Sequence, residues 1–322
     1  MMKMKLMFGL LLSALLLSVG CKTTETEIRP ISRTRQQAYL EKIRDPRTFG
    51  LSIYNTSTGP QIRGGGRLHP AQTAVLPMIT KKKETLRPVV KMAGGVGKEY
   101  PCLLDFTSDR TWLEFSAAKH MMAHAVGEKK AEVVRMPNDE IGACFSILSS
   151  LRLGQIFIEN PIVLVRLADG PLGSPARGIV EPELKGVMGW DLLKKMSQIR
   201  LLYSIEQVAV LTSEPYDPDP RQVIAALPLV KEVGVCAVRG IIDGKEGFIL
   251  IDPAGDFEVA TPGAVPVSLI DLGNIKISKP EAIAESPGGI RIGAHVLNQF
   301  DITVCPLDGV IYFERNLEGK EE

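Results

Sequence analysis

The chain is 322 residues long, and its 38 Lys and Arg almost balance its 37 Asp and Glu. A near-neutral chain of this kind lacks the basic footprint of a nucleic-acid-binding protein, so no nucleic acid is expected as a partner. The length is ample for a buried core.

Lys3 and Lys5 open the chain, and residues 6–20 form an apolar stretch shorter than the ~20 residues a membrane-spanning helix needs. The stretch closes on Leu17-Ser18-Val19-Gly20-Cys21, which resembles a bacterial lipobox. The resemblance implies a signal peptide over residues 1–20, removed before a lipidated Cys21. Two acyl chains hold a protein stably on a membrane, because each buried CH₂ contributes ~0.8 kcal/mol. Lys22 stands where an Asp would favour inner-membrane retention. The expected location is therefore the cell envelope, lipid-anchored at the periplasmic face of an outer membrane. Residues 21–48, polar and mixed in charge, read as a tether with one short helix around residues 36–44.

A strand is expected at residues 51–54. Gly64-Gly65-Gly66 lacks the Lys-Ser/Thr ending of a phosphate loop and reads as a flexible loop. Lys81-Lys82-Lys83, followed by Glu84, reads as a solvated loop. Short Val/Ile/Leu runs bounded by Gly, Pro or Asn then mark strands at 89–92, 100–104, 131–136, 141–147, 151–158 and 162–167, and the style returns from 233 to 313. Residues 131–147 form a hairpin arm turning at Pro137-Asn138-Asp139. Helices are expected at 111–125, 190–197, 220–226 and 294–299. Pro215, Pro218 and Pro220, with acidic spacers, make a stiff exposed linker. The predicted organisation is a lobe over 49–212, a linker over 213–226, a second lobe over 227–316 and a tail over 317–322.

The two lobes repeat each other. Gly97-Lys98-Glu99 leads through Pro101-Cys102-Leu103-Leu104 to Asp105, and Gly244-Lys245-Glu246 leads through Phe248-Ile249-Leu250-Ile251 to Asp252. Leu151-Arg152-Leu153-Gly154-Gln155-Ile156 matches Ile270-Asp271-Leu272-Gly273-Asn274-Ile275, and Met188-Gly189-Trp190-Asp191-Leu192-Leu193 matches Ile292-Gly293-Ala294-His295-Val296-Leu297. Three blocks recurring in one order mark a duplication, and its period is too long for a solenoid. Asp109 and Asp256 also recur, four residues after each first aspartate, and read as loop caps.

Other chemistry is sparse. His120 and His124 stand four apart in a predicted helix, but no Glu follows His120 and no third ligand is evident, so no metal is expected. No cofactor is expected either. Cys102, Cys144, Cys236 and Cys305 lack ligand spacing and sit in apolar runs, so they read as small buried hydrophobes; an oxidising compartment also allows disulfides.

On these blocks the chain resembles the pepsin/retropepsin family of aspartic peptidases, from about residue 89 to 313. The resemblance implies a mainly β fold of two pseudo-two-fold related pepsin/retropepsin-like β-barrel lobes with a few short helices. It implies the 131–147 hairpin as a flap over the interlobe cleft. Asp105 and Asp252 would form the catalytic dyad, sharing one proton and activating water, with Ser108 supporting one carboxylate. The chain departs from the family's Asp-Thr/Ser-Gly motif in both copies, with Phe106 and Pro253 at the hydroxyl position and Thr107 and Ala254 at the glycine. Two functions follow, each for a monomer: an endopeptidase acting on polypeptides, or an inactive homologue that binds an extended peptide or envelope partner in the cleft.

Overall fold

The computed structural model describes residues 28–56, 59–79, 86–95, 97–135, 141–170, 172, 184–285 and 289–316. The leader, Cys21, the lysine run at 81–83, the arm's turn at 137–139 and the tail from 317 lie outside the described residues. The first half contributes strands β1 (Thr73–Pro77), β2 (Val89–Gly94), β3 (Glu99–Leu104), β4 (Trp112–Leu113), β5 (Val133–Arg135), β6 (Gly142–Ile147), β7 (Ser150–Leu153), β8 (Ile156–Glu159), β9 (Ile162–Arg166), β10 (Gly186–Met188), β11 (Gln198–Leu202) and β12 (Gln207–Leu211). The second half contributes β13 (Val223–Pro228), β14 (Ala237–Ile242), β15 (Lys245–Ile251), β16 (Val259–Pro262), β17 (Leu269–Asp271), β18 (Lys276–Ser278), β19 (Ala282–Glu285), β20 (Ile290–Ile292), β21 (Phe300–Cys305) and β22 (Val310–Arg315). The helices are short: α1 (Arg33–Leu40), α2 (Phe115–His120), α3 (Trp190–Leu193) and α4 (Ala294–Leu297).

The fold is mainly β, in two lobes of curled half-barrel sheet. In the first lobe the strands lie in the order β8-β7-β2-β3-β10-β4-β9, and in the second β18-β17-β14-β15-β20-β16-β19. The directions agree as well as the order. Strand β10 runs parallel to β3 and antiparallel to β4, just as β20 runs parallel to β15 and antiparallel to β16. Beyond this common set the first lobe adds β6 and β5 outside β9, which is the hairpin arm.

Local chemistry sets the turns. Asp243 and Gly244, both at positive φ (47° and 81°), join β14 to β15 in a two-residue hairpin, the conformation that Asp-Gly favours. Strands β3 and β15 both begin exposed and end buried, so each delivers the aspartate that follows it into the interior.

A third sheet joins the lobes, in the order β13-β22-β21-β11-β12-β1. Each half supplies three strands, and the equivalent strands β11 and β21 meet antiparallel at the centre, with Arg200 opposite Thr303. The pseudo-two-fold relation therefore runs through that contact.

Four expectations change. Residues 220–226 are not helical: Asp219 ends the linker in a turn, accepting the Arg221 N–H at 3.0 Å, and β13 then pairs with β22 at the sheet edge. Tertiary pairing overrides the helical preference of its alanines. The helix expected over 111–125 is confined to α2, because Trp112–Leu113 pairs with β9 and β10, and Met122 takes a left-handed turn at φ 57°. The stretch from 28 onward is docked structure, since Arg29–Pro30 pairs with Ala168–Asp169, Ile31 is buried and Arg35 forms an ion pair with Asp169. Gly64-Gly65-Gly66 is a pinned turn of three left-handed residues, with Lys195 Nζ donating to the Gly65 and Gly66 carbonyls at 2.5 and 3.0 Å.

Candidate functional site

The two aspartate loops are built by the same contacts. Asp105 N–H donates to Met188 O at 2.9 Å, and Asp252 N–H donates to Ile292 O at 2.9 Å. Immediately after those carbonyls come Gly189 and Gly293. A Cβ on Gly189 would sit 2.2 Å from Arg110 O, and one on Gly293 would sit 2.2 Å from Phe257 O. Only glycine lets the helix-opening turn press against the aspartate loop at both places. The next residues close the contact, Trp190 N–H to Ser108 O and Ala294 N–H to Gly255 O, both at 2.7 Å. Both aspartates are fully buried.

The surroundings of the two carboxylates differ. Asp105 Oδ1 accepts from its own turn: Thr107 N–H at 2.9 Å, Thr107 Oγ1–H at 2.8 Å and Ser108 N–H at 3.1 Å. Ser108 thus reaches Asp105 through its amide, and its hydroxyl donates elsewhere, to Arg110 O at 2.8 Å. The hydroxyl that supports Asp105 belongs to Thr107. Phe106 is buried with its ring centroid 5.9 Å from that of Trp190, and its carbonyl accepts Cys236 N–H at 2.9 Å from the second lobe.

Asp252 has a cation beside it. Arg291 Nη1 lies 3.9 Å from Asp252 Oδ2, with both side chains buried. Arg291 precedes Ile292 in β20; the corresponding residue before Met188 in β10 is Val187, which is buried and apolar. Ala254, from the loop that follows, belongs to an apolar cluster that includes Leu103, Trp112, Phe145 and Val187 of the first lobe. Tyr203 is buried too, and burial, reinforced by the charges of Asp252 and Asp301, pushes its phenol up.

The remaining predicted residues separate from this centre. Asp109 is exposed, and Asp256 pairs with His295 Nε2 at 3.0 Å on the surface. Position 191, which corresponds to His295, holds an Asp that accepts Thr111 Oγ1–H at 2.7 Å; burial raises its carboxyl above the ordinary aspartate value. His120 Nδ1 meets the Tyr100 hydroxyl at 2.9 Å, whereas His124 lies in a short strand paired with Ile147, so the two histidines do not share a helix face. Among the described residues no group of His, Cys, Asp and Glu is placed to hold a metal. The four cysteines are free and buried, and burial pushes the Cys102 and Cys144 thiols up to about 12.

Sequence reasoning missed Arg291 and Thr107. A signal existed for Arg291, the one charge in the apolar run Ile290-Arg291-Ile292, opposite Val187 in the other copy.

No family model matches the chain, and no curated protein matches it. Among solved structures it is similar to the crystal structure of basic 7S globulin from soybean, with 12% sequence identity, 76% of this chain and 95% of that chain covered, and a TM-score of 0.48.

Proposed function

We propose that this chain is a lipid-anchored envelope protein of the bilobal aspartic-peptidase type that binds extended polypeptide without hydrolysing it. The observation that carries this reading is the placement of Arg291 beside Asp252. Peptide hydrolysis by a carboxylate pair needs one proton held between the two groups. The neighbours of the two carboxylates do not match: Arg291 lies beside Asp252, Val187 stands at the corresponding position of the other copy, and Asp105 Oδ1 is held by three donors of its own turn. A buried arginine beside one member only sets this arrangement apart from two like carboxylates that share one proton.

Binding has a structural support of its own. Among the described residues, β5 of the arm pairs on one side only, and Val133 on it is 38% exposed. An open strand edge captures an extended peptide through main-chain hydrogen bonds. Purified full chain is expected to leave unfolded casein intact from acidic to neutral pH. It is also expected to capture members of an immobilised peptide library, and Val133→Pro, which removes a backbone donor, should reduce that capture. Acid-dependent cleavage lost in both Asp105→Asn and Asp252→Asn would overturn the reading. The second reading, an endopeptidase with an Asp105/Asp252 dyad, rests on the matching construction of the two aspartate loops, and the same casein assay decides between them. The anchor is tested by labelled palmitate, whose incorporation should vanish in Cys21→Ser.

A further inference from the structure

The first described segment lies close in sequence to the proposed anchor. If Cys21 carries acyl chains, only residues 22–27 separate it from Ile28, where the described chain begins. Seven residue steps span at most about 25 Å whatever their conformation. From Arg29 onward the chain is fastened to the first lobe by the pairing with Ala168–Asp169 and the Arg35–Asp169 ion pair. The lobe therefore cannot stand far from the bilayer, and the face that carries α1 is the one held next to it.

That face is basic. Residues 28–47 contain Arg29, Arg33, Arg35, Lys42, Arg44 and Arg47 against Glu41 and Asp45. The Arg44–Val126 bridge, with Arg44 N–H donating to Ala125 O at 2.8 Å, brings this segment against residues 125–131, where Lys129 and Lys130 are exposed. Some of the charge is answered locally, because Asp169 pairs with Arg35 and Glu128 pairs with Arg47 at 3.1 Å. Arg33, Lys42, Arg44, Lys129 and Lys130 are left exposed. Arg33 and Lys130 flank a shallow hollow of about 380 Å³ between α1 and Ala131, with Leu40 and Glu41 also in its wall. The positive field is felt at His124, whose imidazole is pushed down first by burial and then by Arg44 and Lys42.

We infer that the face formed by α1, Lys42, Arg44 and Lys129-Lys130 is a docking surface for the anionic phosphate headgroups of the bilayer that holds Cys21. This rests on the lipid-anchor part of the proposed function. Juxtamembrane basic clusters are drawn to anionic lipid through a field that fades within a Debye length, so contact is sensitive to salt. Docking through this face would fix the orientation of the lobes above the membrane.

The test uses the full acylated chain reconstituted into vesicles of phosphatidylcholine, alone or mixed with phosphatidylglycerol. Amide exchange in residues 33–44 and 128–131 is read with and without high salt. The expected result is slower exchange on the mixed vesicles, reversed by salt and absent in the quadruple variant Arg33→Gln, Lys42→Gln, Lys129→Gln, Lys130→Gln. All four side chains are exposed, so the variant's thermal melt should match the parent's and report any failure to fold. Exchange that ignores phosphatidylglycerol in a membrane-bound acylated protein overturns the docking surface and leaves the anchor standing. If Cys21 proves unacylated, the same chain is sedimented with mixed vesicles. Salt-sensitive sedimentation lost in the quadruple variant then supports the surface, and no sedimentation overturns it.

Discussion

The loop after Asp105 and the loop after Asp252 share a backbone plan and differ in their charged neighbours. Both aspartates follow a strand that passes from solvent to core, donate to a carbonyl of the strand beside them and lie under a glycine that tolerates no Cβ. The first carboxylate is held by donors of its own turn, and the second faces an arginine from the neighbouring strand. The lesson is that scaffold and chemistry are specified by different residues. Glycines and apolar strand ends fix where an aspartate sits, while one position on the adjacent strand, Val187 or Arg291, decides which charge it meets.

The largest effect should come from what the loops share. Gly189→Ala and Gly293→Ala should each cost more than about 4 kcal/mol in urea unfolding, because the added methyl group meets a backbone carbonyl that cannot swing away. A well-tolerated alanine at either glycine would break the equivalence. Next comes the difference between them. Arg291→Leu should cost about 3–5 kcal/mol by leaving Asp252 buried beside an apolar side chain. Adding Asp252→Asn should recover part of that loss, so a double-mutant cycle would show strong coupling; independent, additive losses would dissolve the pair. At Asp105, Thr107→Val should cost roughly 1–3 kcal/mol and exceed Ser108→Ala, since only the threonine hydroxyl reaches the carboxylate.

The smallest effect concerns the residue two places after each of these glycines. Burial raises the Asp191 carboxyl, so the folded state holds its proton more tightly than the unfolded state. The group's contribution is therefore fully present below the ordinary aspartate value and is lost as pH rises through the shifted one. Asp191→Asn should remove that downward slope from unfolding curves measured across the acidic range. His295→Gln, on the exposed counterpart that pairs with Asp256, should change stability by less than about 1 kcal/mol.

Much of the two-lobe plan was legible because it depends on short-range signals. Alternating apolar runs, Asp-Gly and Leu-Gly turns, and the two Gly-x-x-x-Leu blocks each announce a strand, a hairpin or a helix start locally. The strands at the edges of the joining sheet were harder to see. Thr73–Pro77 is a five-residue run ending in proline, and Val223–Pro228 holds two alanines that favour helix; both are strands because β12 and β22 are there to pair with them. The docked segment was illegible for a related reason, as its partner Asp169 lies 134 residues after Arg35. At the site, the aspartates were visible and their partners were not. Strand periodicity can flag Arg291 as unusual, but it cannot say that Arg291 turns toward Asp252.

The joining sheet has a further consequence. Because β11 and β21 meet antiparallel at the centre and each half supplies three strands, the joining sheet follows the plan of an isologous dimer. The joining sheet is thus laid out as it would be between two like subunits, here within one polypeptide. In a true dimer of identical chains, any substitution appears twice, so an arm or a buried arginine would be imposed on both sides of the axis. Once the halves are covalently joined, each can be altered alone. That freedom allows one half to carry an arm and the other to place a guanidinium beside its aspartate, while the frame between them stays symmetrical.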